Sequence, residues 1–332
     1  MNERFEKKVR ALGLCSGGLD SILSALVLRD QGIEVSWVSF ETPFFPADKA
    51  RKASAATGVP LRVERITGKY MEMLKNPRCG FGRNMNPCMD CHALMFRLAG
   101  EIMEAEGMDF LFSGEVVGQR PMSQTRQSLR YVEKQSGWRG RILRPLSAKK
   151  LDPTPMEIQG LVDRERLLDF SGRSRKPQMA LAESYGITRY PTPAGGCLLT
   201  DVGFSRRLAD LLSHQEDVLE GELELLKHGR HFRLDAENRA VVGRTLADNE
   251  KIENLLDPST GTLLCLENRP GPRVLLVGPA GPEALEWASG LCAAHARTRE
   301  GEDVTVLVRG RAGERSLNVK TPARELFTDQ RL

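Results

Sequence analysis

A chain of 332 residues, 40% apolar with 31 Gly and 18 Pro, is long enough for two modest domains with real cores and excludes a disordered or collagen-like protein. Its 48 Lys and Arg against 44 Asp and Glu leave a net charge of only +4, which by itself selects no partner. Apolar runs such as Val274–Val277 fall far short of the roughly 20 residues that cross a bilayer, and the opening Met-Asn-Glu-Arg-Phe-Glu-Lys-Lys lacks the apolar core of a secretory signal, so a cytoplasmic protein without a membrane partner is expected.

Val9–Cys15 reads as a short strand that runs into Ser16-Gly17-Gly18-Leu19-Asp20-Ser21, and helical apolar spacing follows over Ile22–Arg29. A strand at Glu34–Phe40, a helix near Ala47–Thr57, a strand around Leu61–Ile66, a helix at Met89–Glu106 and a strand at Asp109–Ser113 continue the alternation. Such alternation predicts an α/β fold, a parallel sheet covered on both faces. Ligands of such sheets bind beyond the C-terminal strand ends, where Ser16–Ser21 and Ser113–Gln119 would lie. The first domain is placed at residues 1–205. A smaller α+β domain is expected over 206–332: a connecting helix at Ser205–Lys227, strands near Arg230–Leu234 and Ala240–Val242, and a helix through Leu246–Leu256. Strands at Thr262–Leu266 and Arg273–Val277, a helix at Pro282–Ala296 and strands at Val304–Arg309 and Ser316–Lys320 complete it.

The charge is unevenly shared. Residues 206–332 carry 18 basic against 21 acidic residues, net −3, so residues 1–205 carry 30 against 23, net +7. Most of that surplus falls between Arg120 and Lys150, where Arg120, Arg126, Arg130, Lys134, Arg139, Arg141, Arg144, Lys149 and Lys150 face a single acid, Glu133. The segment can serve a polyanion or be a solvated helix face.

Seven cysteines, an odd count without an export signal, argue for thiols used as ligands or nucleophiles instead of a disulfide framework. Cys15, Cys265 and Cys292 lie in apolar stretches and read as small buried hydrophobes. Cys79, Cys88, Cys91 and Cys197 lie among Gly, Pro and Asn. Asn86-Pro87-Cys88-Met89-Asp90-Cys91 places two thiols at the start of a helix, where the dipole favours thiolate. Cys197 follows Ala194-Gly195-Gly196, where the glycines permit close backbone approach. Three soft thiolates can hold three irons of a [4Fe–4S] cluster and leave one open; a structural Zn2+ completed by Cys79 or His92 is the alternative, and the CxxC spacing alone does not choose.

A Ser-Gly-Gly-x-Asp-Ser turn between a strand and a helix start supplies backbone N–H groups, hydroxyls and a helix dipole to an anion. It lacks the Gly-Lys-Ser/Thr ending of a Walker loop. The turn resembles the PP-loop of the adenine nucleotide alpha-hydrolase superfamily, which cleaves ATP between its α and β phosphates. The resemblance implies that Ser16, Gly17, Gly18, Asp20 and Ser21 hold the leaving pyrophosphate, with Asp20 near Mg2+. Asn-Pro-Cys-x-x-Cys followed about a hundred residues later by Gly-x-Cys is similar to the tRNA 2-thiouridylases. Ser113-Gly114-Glu115-Val116-Val117-Gly118-Gln119, then Ser123-Gln124-Thr125 and Arg144-Pro145-Leu146, resembles the tRNA 4-thiouridine synthetases more closely, with Ser113 where that family has Thr.

That resemblance implies ATP-dependent thiolation of tRNA: a uridine oxygen is adenylated and then replaced by sulfur delivered as sulfide or by a persulfide carrier. Cys197, Cys88 and Asp20 are the implied catalytic residues, Cys88, Cys91 and Cys197 the cluster ligands, and Gly114 and Gln119 join the ATP site. Glu115 and Gln119 are candidates to approach the adenylate or the tRNA base. An RNA-binding domain ahead of the turn, which that family has, is not expected here. Gly229-Arg230-His231-Phe232-Arg233-Leu234 with Val241-Val242-Gly243-Arg244-Thr245 resembles the RNA-binding module of the NFACT proteins. Arg230, Arg233 and Arg244 would then contact tRNA, with Arg120, Arg126 and Arg130 from the first domain. A 2-thiouridylase, a PP-loop amidotransferase or ligase acting on a small molecule, and a non-catalytic RNA-binding factor are the alternatives; the oligomeric state, a homodimer included, is left open.

Overall fold

Short apolar stretches alternating with amphipathic ones fold as that alternation dictates. A computed structural model describes residues 8–190, 196–257, 259, 261–311 and 313–332. The chain divides into two compact units, residues 1–198 and 199–332.

In the first unit β1 (Arg10–Leu14), β2 (Glu34–Glu41), β3 (Leu61–Arg65), β4 (Phe110–Ser113) and β5 (Ile142–Leu143) form one parallel sheet in the order β3-β2-β1-β4-β5. Gly13 of β1 pairs with Trp37 on one side and Phe112 on the other, so β1 is the central strand. The chain winds outward from β1 to β3 and then returns to β4 on β1's other flank. That reversal opens a crevice at the C-terminal ends of β1 and β4. Helices α1 (Leu19–Arg29), α2 (Asp48–Thr57), α3 (Thr67–Lys75) and α4 (Cys88–Ala105) are followed beyond β4 by α5 (Arg126–Ser136), α6 (Pro155–Ile158) and α7 (Lys176–Ser184). Leu19, Ile22, Leu23 and Leu28 of α1 join Trp37, Phe110 and Phe112 in the core. Each such side chain contributes about 1.5 to 3 kcal/mol on burial.

Four helices here, α3, α5, α6 and α7, were not expected. In α3 only Tyr70, Met71 and Leu74 are buried, a stripe too short to stand out. In α5 the basic residues flank a narrow buried seam of Leu129, Val132 and Ser136, and Thr125 caps the helix by accepting from the Ser128 N–H at 3.0 Å.

The second unit holds six strands, β6 (Arg230–Arg233), β7 (Arg239–Val242), β8 (Gly261–Leu266), β9 (Val274–Val277), β10 (Asp303–Gly310) and β11 (Gly313–Lys320), in the antiparallel order β11-β10-β8-β9-β7-β6. The single connecting helix expected at Ser205–Lys227 is instead two, α8 (Val202–His214) and α9 (Glu220–Leu225). The Glu222 carboxylate accepts from the Leu219 N–H at 3.1 Å and starts the second afresh. Helix α11 (Pro282–Ala294) packs Leu285, Ala288 and Leu291 on one sheet face; Leu225 and Ile252, the latter from α10 (Leu246–Asn254), cover Leu263 and Leu275 elsewhere on the sheet. No helix among the described residues is long and apolar enough to cross a membrane.

Candidate functional site

The turn after β1 is built on a close approach. Gly17 has φ of +71°, and a Cβ there would stand 2.1 Å from the Lys49 carbonyl carbon, so only glycine lets the turn pass under the start of α2. Ser16 is exposed at the turn, its Oγ 3.0 Å from the Ser21 hydroxyl, and Gly18 precedes α1 without a side-chain cap. The first-turn N–H groups of α1 thus face an anion position with the helix dipole behind them. Gly114, just beyond β4, lies against the same turn: a Cβ on it would come 2.4 Å from the Asp20 carbonyl carbon.

Asp20 in α1's first turn is the centre of the crevice. Gln119 Nε2 donates to its Oδ2 at 3.0 Å, bringing together two residues that the sequence places 99 apart. Burial pushes the Asp20 carboxyl up from its ordinary value, partly countered by the Gln119 bond and by the charges of Arg175 and Arg120. Its Oδ1 is buried and accepts no hydrogen bond. An unbonded carboxylate oxygen beside a glycine turn and a helix start is a donor that suits Mg2+, so Asp20 fits the expected ion.

Cys88 and Cys91 open α4, and the Cys91 N–H donates to the Pro87 carbonyl at 2.8 Å. Asn86 Nδ2 donates to Cys88 Sγ at 3.3 Å. The Tyr70 hydroxyl bonds to the Cys91 thiol, whose pKa is driven far upward by burial and by the neighbouring Cys197 and Cys88; Tyr70 in turn senses all three sulfurs. The structure therefore brings Cys88, Cys91 and Cys197 within electrostatic reach of one another around Tyr70. Ala194 and Gly195 of the Gly-Gly-Cys segment lie outside the described residues. Among the described residues no three His, Cys, Asp or Glu side chains converge tightly enough for a single metal ion. His92, the alternative fourth zinc ligand, instead places Nδ1 3.0 Å from Glu115 Oε1. The three sulfurs, those of Cys88 and Cys91 hydrogen-bonded to Asn86 and Tyr70, fit a soft, extended cluster by donor chemistry. Cys79 is exposed beside Tyr131, whose hydroxyl bonds to it, and its N–H donates to Asp90 Oδ2 at 2.8 Å. Burial pushes the Cys15 and Cys292 thiols up to about 12, in keeping with apolar roles.

Glu115 is not a ligand-facing loop residue. Only 6% exposed, it accepts from Arg144 Nε at 3.0 Å and Ser113 Oγ at 3.1 Å besides meeting His92. Desolvation alone would raise its pKa, but Arg144 and His92 outweigh this and hold it at about 2. Arg144, 3% exposed, also pairs with Glu133, so it leaves the basic belt altogether. The rest of that belt is partly neutralised by acids from other segments: Arg130 by Asp152 at 2.7 Å, Lys149 by Glu165 and Lys150 by Asp169. Arg141 lies over the Trp138 ring. Arg120 and Arg126 remain exposed. In the second unit Arg233 is taken by Asp210 at 2.6 Å and Arg244 pairs with Asp248 at 3.0 Å. Arg230 keeps the company of Arg331, Arg244 and Arg324; burial and these charges lower its pKa. A local basic patch thus exists within a unit of net negative charge.

Sequence reasoning passed over Arg175 and Gln178, both at the head of α7 and both turned toward Asp20. No motif or local pattern in the sequence marks either residue. A cavity of about 810 Å³ lined by Arg10, Arg29, Trp37, Arg62, Glu106 and Met108 opens near the opposite strand ends and takes in none of these groups.

Residues 7–152 match the family model described as thiamine biosynthesis protein (ThiI), and residues 229–329 match that of the NFACT protein RNA binding domain. Both agree with the resemblances carried by the motifs. A tRNA-specific 2-thiouridylase MnmA of Desulforudis audaxviator is 32% identical over 107 residues, covering 30% of either chain. A tRNA-specific 2-thiouridylase MnmA 3 of Bacteroides fragilis is 33% identical over 114 residues, 33% of this chain and 31% of that one. The chain spans about a third of the length of these relatives. Among solved structures, a 4-thiouridine synthetase–RNA complex with bound ATP is similar at a TM-score of 0.38 and 22% identity, over 65% of this chain and 53% of that one. The C-terminal part of the fibronectin/fibrinogen-binding protein of Streptococcus suis has a TM-score of 0.29 and 14% identity, over 47% of this chain and 76% of that one.

Proposed function

We propose that the chain is an ATP-dependent tRNA sulfurtransferase of the cytoplasm, with 4-thiouridine as its favoured product. The observation that carries this is the coupling of two chemistries by one loop: Gly114 lies against Asp20, and the next residue, Glu115, holds His92 beside Cys91. An adenylating crevice and a thiol cluster are thereby fixed to one another. A small-molecule ligase would need no such thiols, and a non-catalytic RNA-binding factor no Asp20 with a buried, unbonded oxygen. Partial matches to 2-thiouridylases favour 2-thiolation as the second reading.

ATP takes its phosphates to Ser16, Gly17, Gly18 and Ser21, with Mg2+ at Asp20 offsetting their charge. A uridine carbonyl oxygen attacks the α phosphorus, and pyrophosphate leaves into the turn. A sulfur nucleophile then attacks the activated carbon and AMP departs. Cys88, Cys91 and Cys197 would hold a [4Fe–4S] cluster, which when bound supplies an open iron for inorganic sulfide. In the alternative route the outer sulfur of a Cys197 persulfide attacks the carbon, Cys88 thiolate attacks Cys197 sulfur, and the thiolated base leaves behind a Cys88–Cys197 disulfide for an external thiol to reduce. Arg230 and Arg244, with Arg120, Arg126 and Arg130, would contact tRNA phosphates.

The test is anaerobic purification with iron and acid-labile sulfide analysis of the parent and of Cys88→Ala, Cys91→Ala and Cys197→Ala, with nucleoside mass spectrometry of tRNA incubated with ATP and sulfide. About four irons per chain, lost in each variant, with 4-thiouridine in the digest, is the expected result. 2-Thiouridine would move the assignment to the second reading. No thiolated nucleoside with any sulfur donor would overturn it.

A further inference from the structure

Between the core strands and the cysteine segment the chain makes a second turn into a helix, Ser171-Gly172-Arg173-Ser174-Arg175-Lys176-Pro177-Gln178. Ser171 bridges to Val117, and the Gly172 N–H donates to the Val117 carbonyl at 2.8 Å, which fastens this turn to the loop holding Gly114 and Gln119. Arg175 is the N-cap residue of α7, and Gln178 lies in its first turn, 1% exposed.

Buried polar groups almost always have partners, and each one left without costs about 1 to 3 kcal/mol. Around Asp20 several lack them together. Asp20 Oδ1, Arg175 Nε and both the Oε1 and Nε2 atoms of Gln178 are buried without a hydrogen bond. The Gln178 amide stands close enough to the Asp20 carboxyl to help stabilise its charge, and the Arg175 guanidinium acts on the same carboxyl. Unmet groups of both signs clustered in one crevice mark a place kept for a ligand. A positive helix start, a guanidinium whose Nε is buried and the neighbouring Arg120 specify a multiply charged anion, and guanidinium is the group that matches phosphate geometry.

We propose that this turn is a second phosphate-holding element facing the first, with Arg175 binding the β and γ phosphates of ATP and Gln178 a positioning residue that orients Asp20. The assignment rests on the nucleotide site proposed above. It makes Arg175, together with the first turn, an element that favours ATP over AMP, since only ATP carries the phosphates both would hold.

The test is calorimetric titration of the full chain with ATP and with AMP in the presence of Mg2+. The parent is expected to prefer ATP. Arg175→Gln should cut the ratio of ATP to AMP affinity by about 10- to 100-fold, the worth of a charge-assisted bond, and Arg175→Lys should restore part of it. Gln178→Leu should leave AMP affinity unchanged and raise the Mg2+ concentration for half-maximal ATP binding by about tenfold. An affinity ratio unchanged in Arg175→Gln, or equal losses for both nucleotides, overturns the inference and leaves the first turn's role standing. Should Arg175→Gln not fold, an unchanged Mg2+ requirement in Gln178→Leu overturns it instead. A parent that binds neither nucleotide overturns the nucleotide site as well.

Discussion

Replacing Glu115 by Gln removes one charge from a buried chain of ion pairs and should be costly. Its carboxylate serves Arg144 at 3.0 Å, His92 at 3.0 Å and Ser113 at 3.1 Å, with Arg144 and Glu115 only 3% and 6% exposed. Breaking a buried pair by removing one partner costs about 3 to 5 kcal/mol, and because Arg144 keeps Glu133 the lower end applies. Proton linkage leads to the same figure. A carboxyl held at about 2 instead of its ordinary 4.5 contributes roughly 3 kcal/mol near neutral pH, at about 1.36 kcal/mol for each tenfold change. The folded value is depressed, so this stability is complete above about pH 4.5 and is lost as pH falls toward 2. For a unit of this size the loss corresponds to a melting temperature lower by about 6 to 12 °C at pH 7. The assay is a thermal melt of parent and Glu115→Gln at pH 7, 4 and 3, with the gap expected to narrow as pH falls. Equal melting temperatures at pH 7, or a gap as wide at pH 3 as at pH 7, would refute the ion-pair account.

Gly17→Ala forces a side chain into a left-handed position, at about 1 to 2 kcal/mol, and sets its Cβ against the Lys49 backbone, which cannot swing away as a side chain can. ATP affinity should fall at least about tenfold and the melting temperature should drop by at least a few degrees; calorimetry beside a thermal melt checks both. For tRNA, the pair Arg230→Ala and Arg244→Ala should flatten the slope of log affinity against log salt by about 1 for each phosphate that is no longer neutralised, measured by filter binding over a salt series. A slope identical to the parent's would remove both residues from the interface.

Much of the fold was legible because its signals are local. An apolar pentamer, a Ser-Gly-Gly turn and an apolar helix start are neighbours in sequence, so β1, the turn and α1 could be placed to within a few residues. Asp20 and Gln119 followed from motifs on two strand ends that the alternation sets side by side. Arg144 did not, because counting charges along Arg120–Lys150 sees one acid, whereas its partner Glu115 lies 29 residues upstream, outside that segment. Arg233 escaped for the same reason, its Asp210 being 23 residues away on α8. Gln178 carries no motif; only its burial against Asp20 reveals it, and burial of a polar side chain is decided by tertiary contacts that no local pattern encodes.

The loop from Ser113 to Gln119 is the common attachment of these parts. Gly114 meets the first turn, Glu115 holds the cysteine-bearing helix through His92, Val117 bonds the second turn through Gly172, and Gln119 bonds Asp20. The Val117 N–H is itself anchored to the Ser147 hydroxyl at 3.0 Å, and Val116 is fully buried. A loop tied at nearly every residue cannot shift one attachment without straining the next, because packed interiors deform little. Substitutions at Glu115 should therefore weaken nucleotide binding as well as stability, although Glu115 itself points away from Asp20 toward Arg144 and His92.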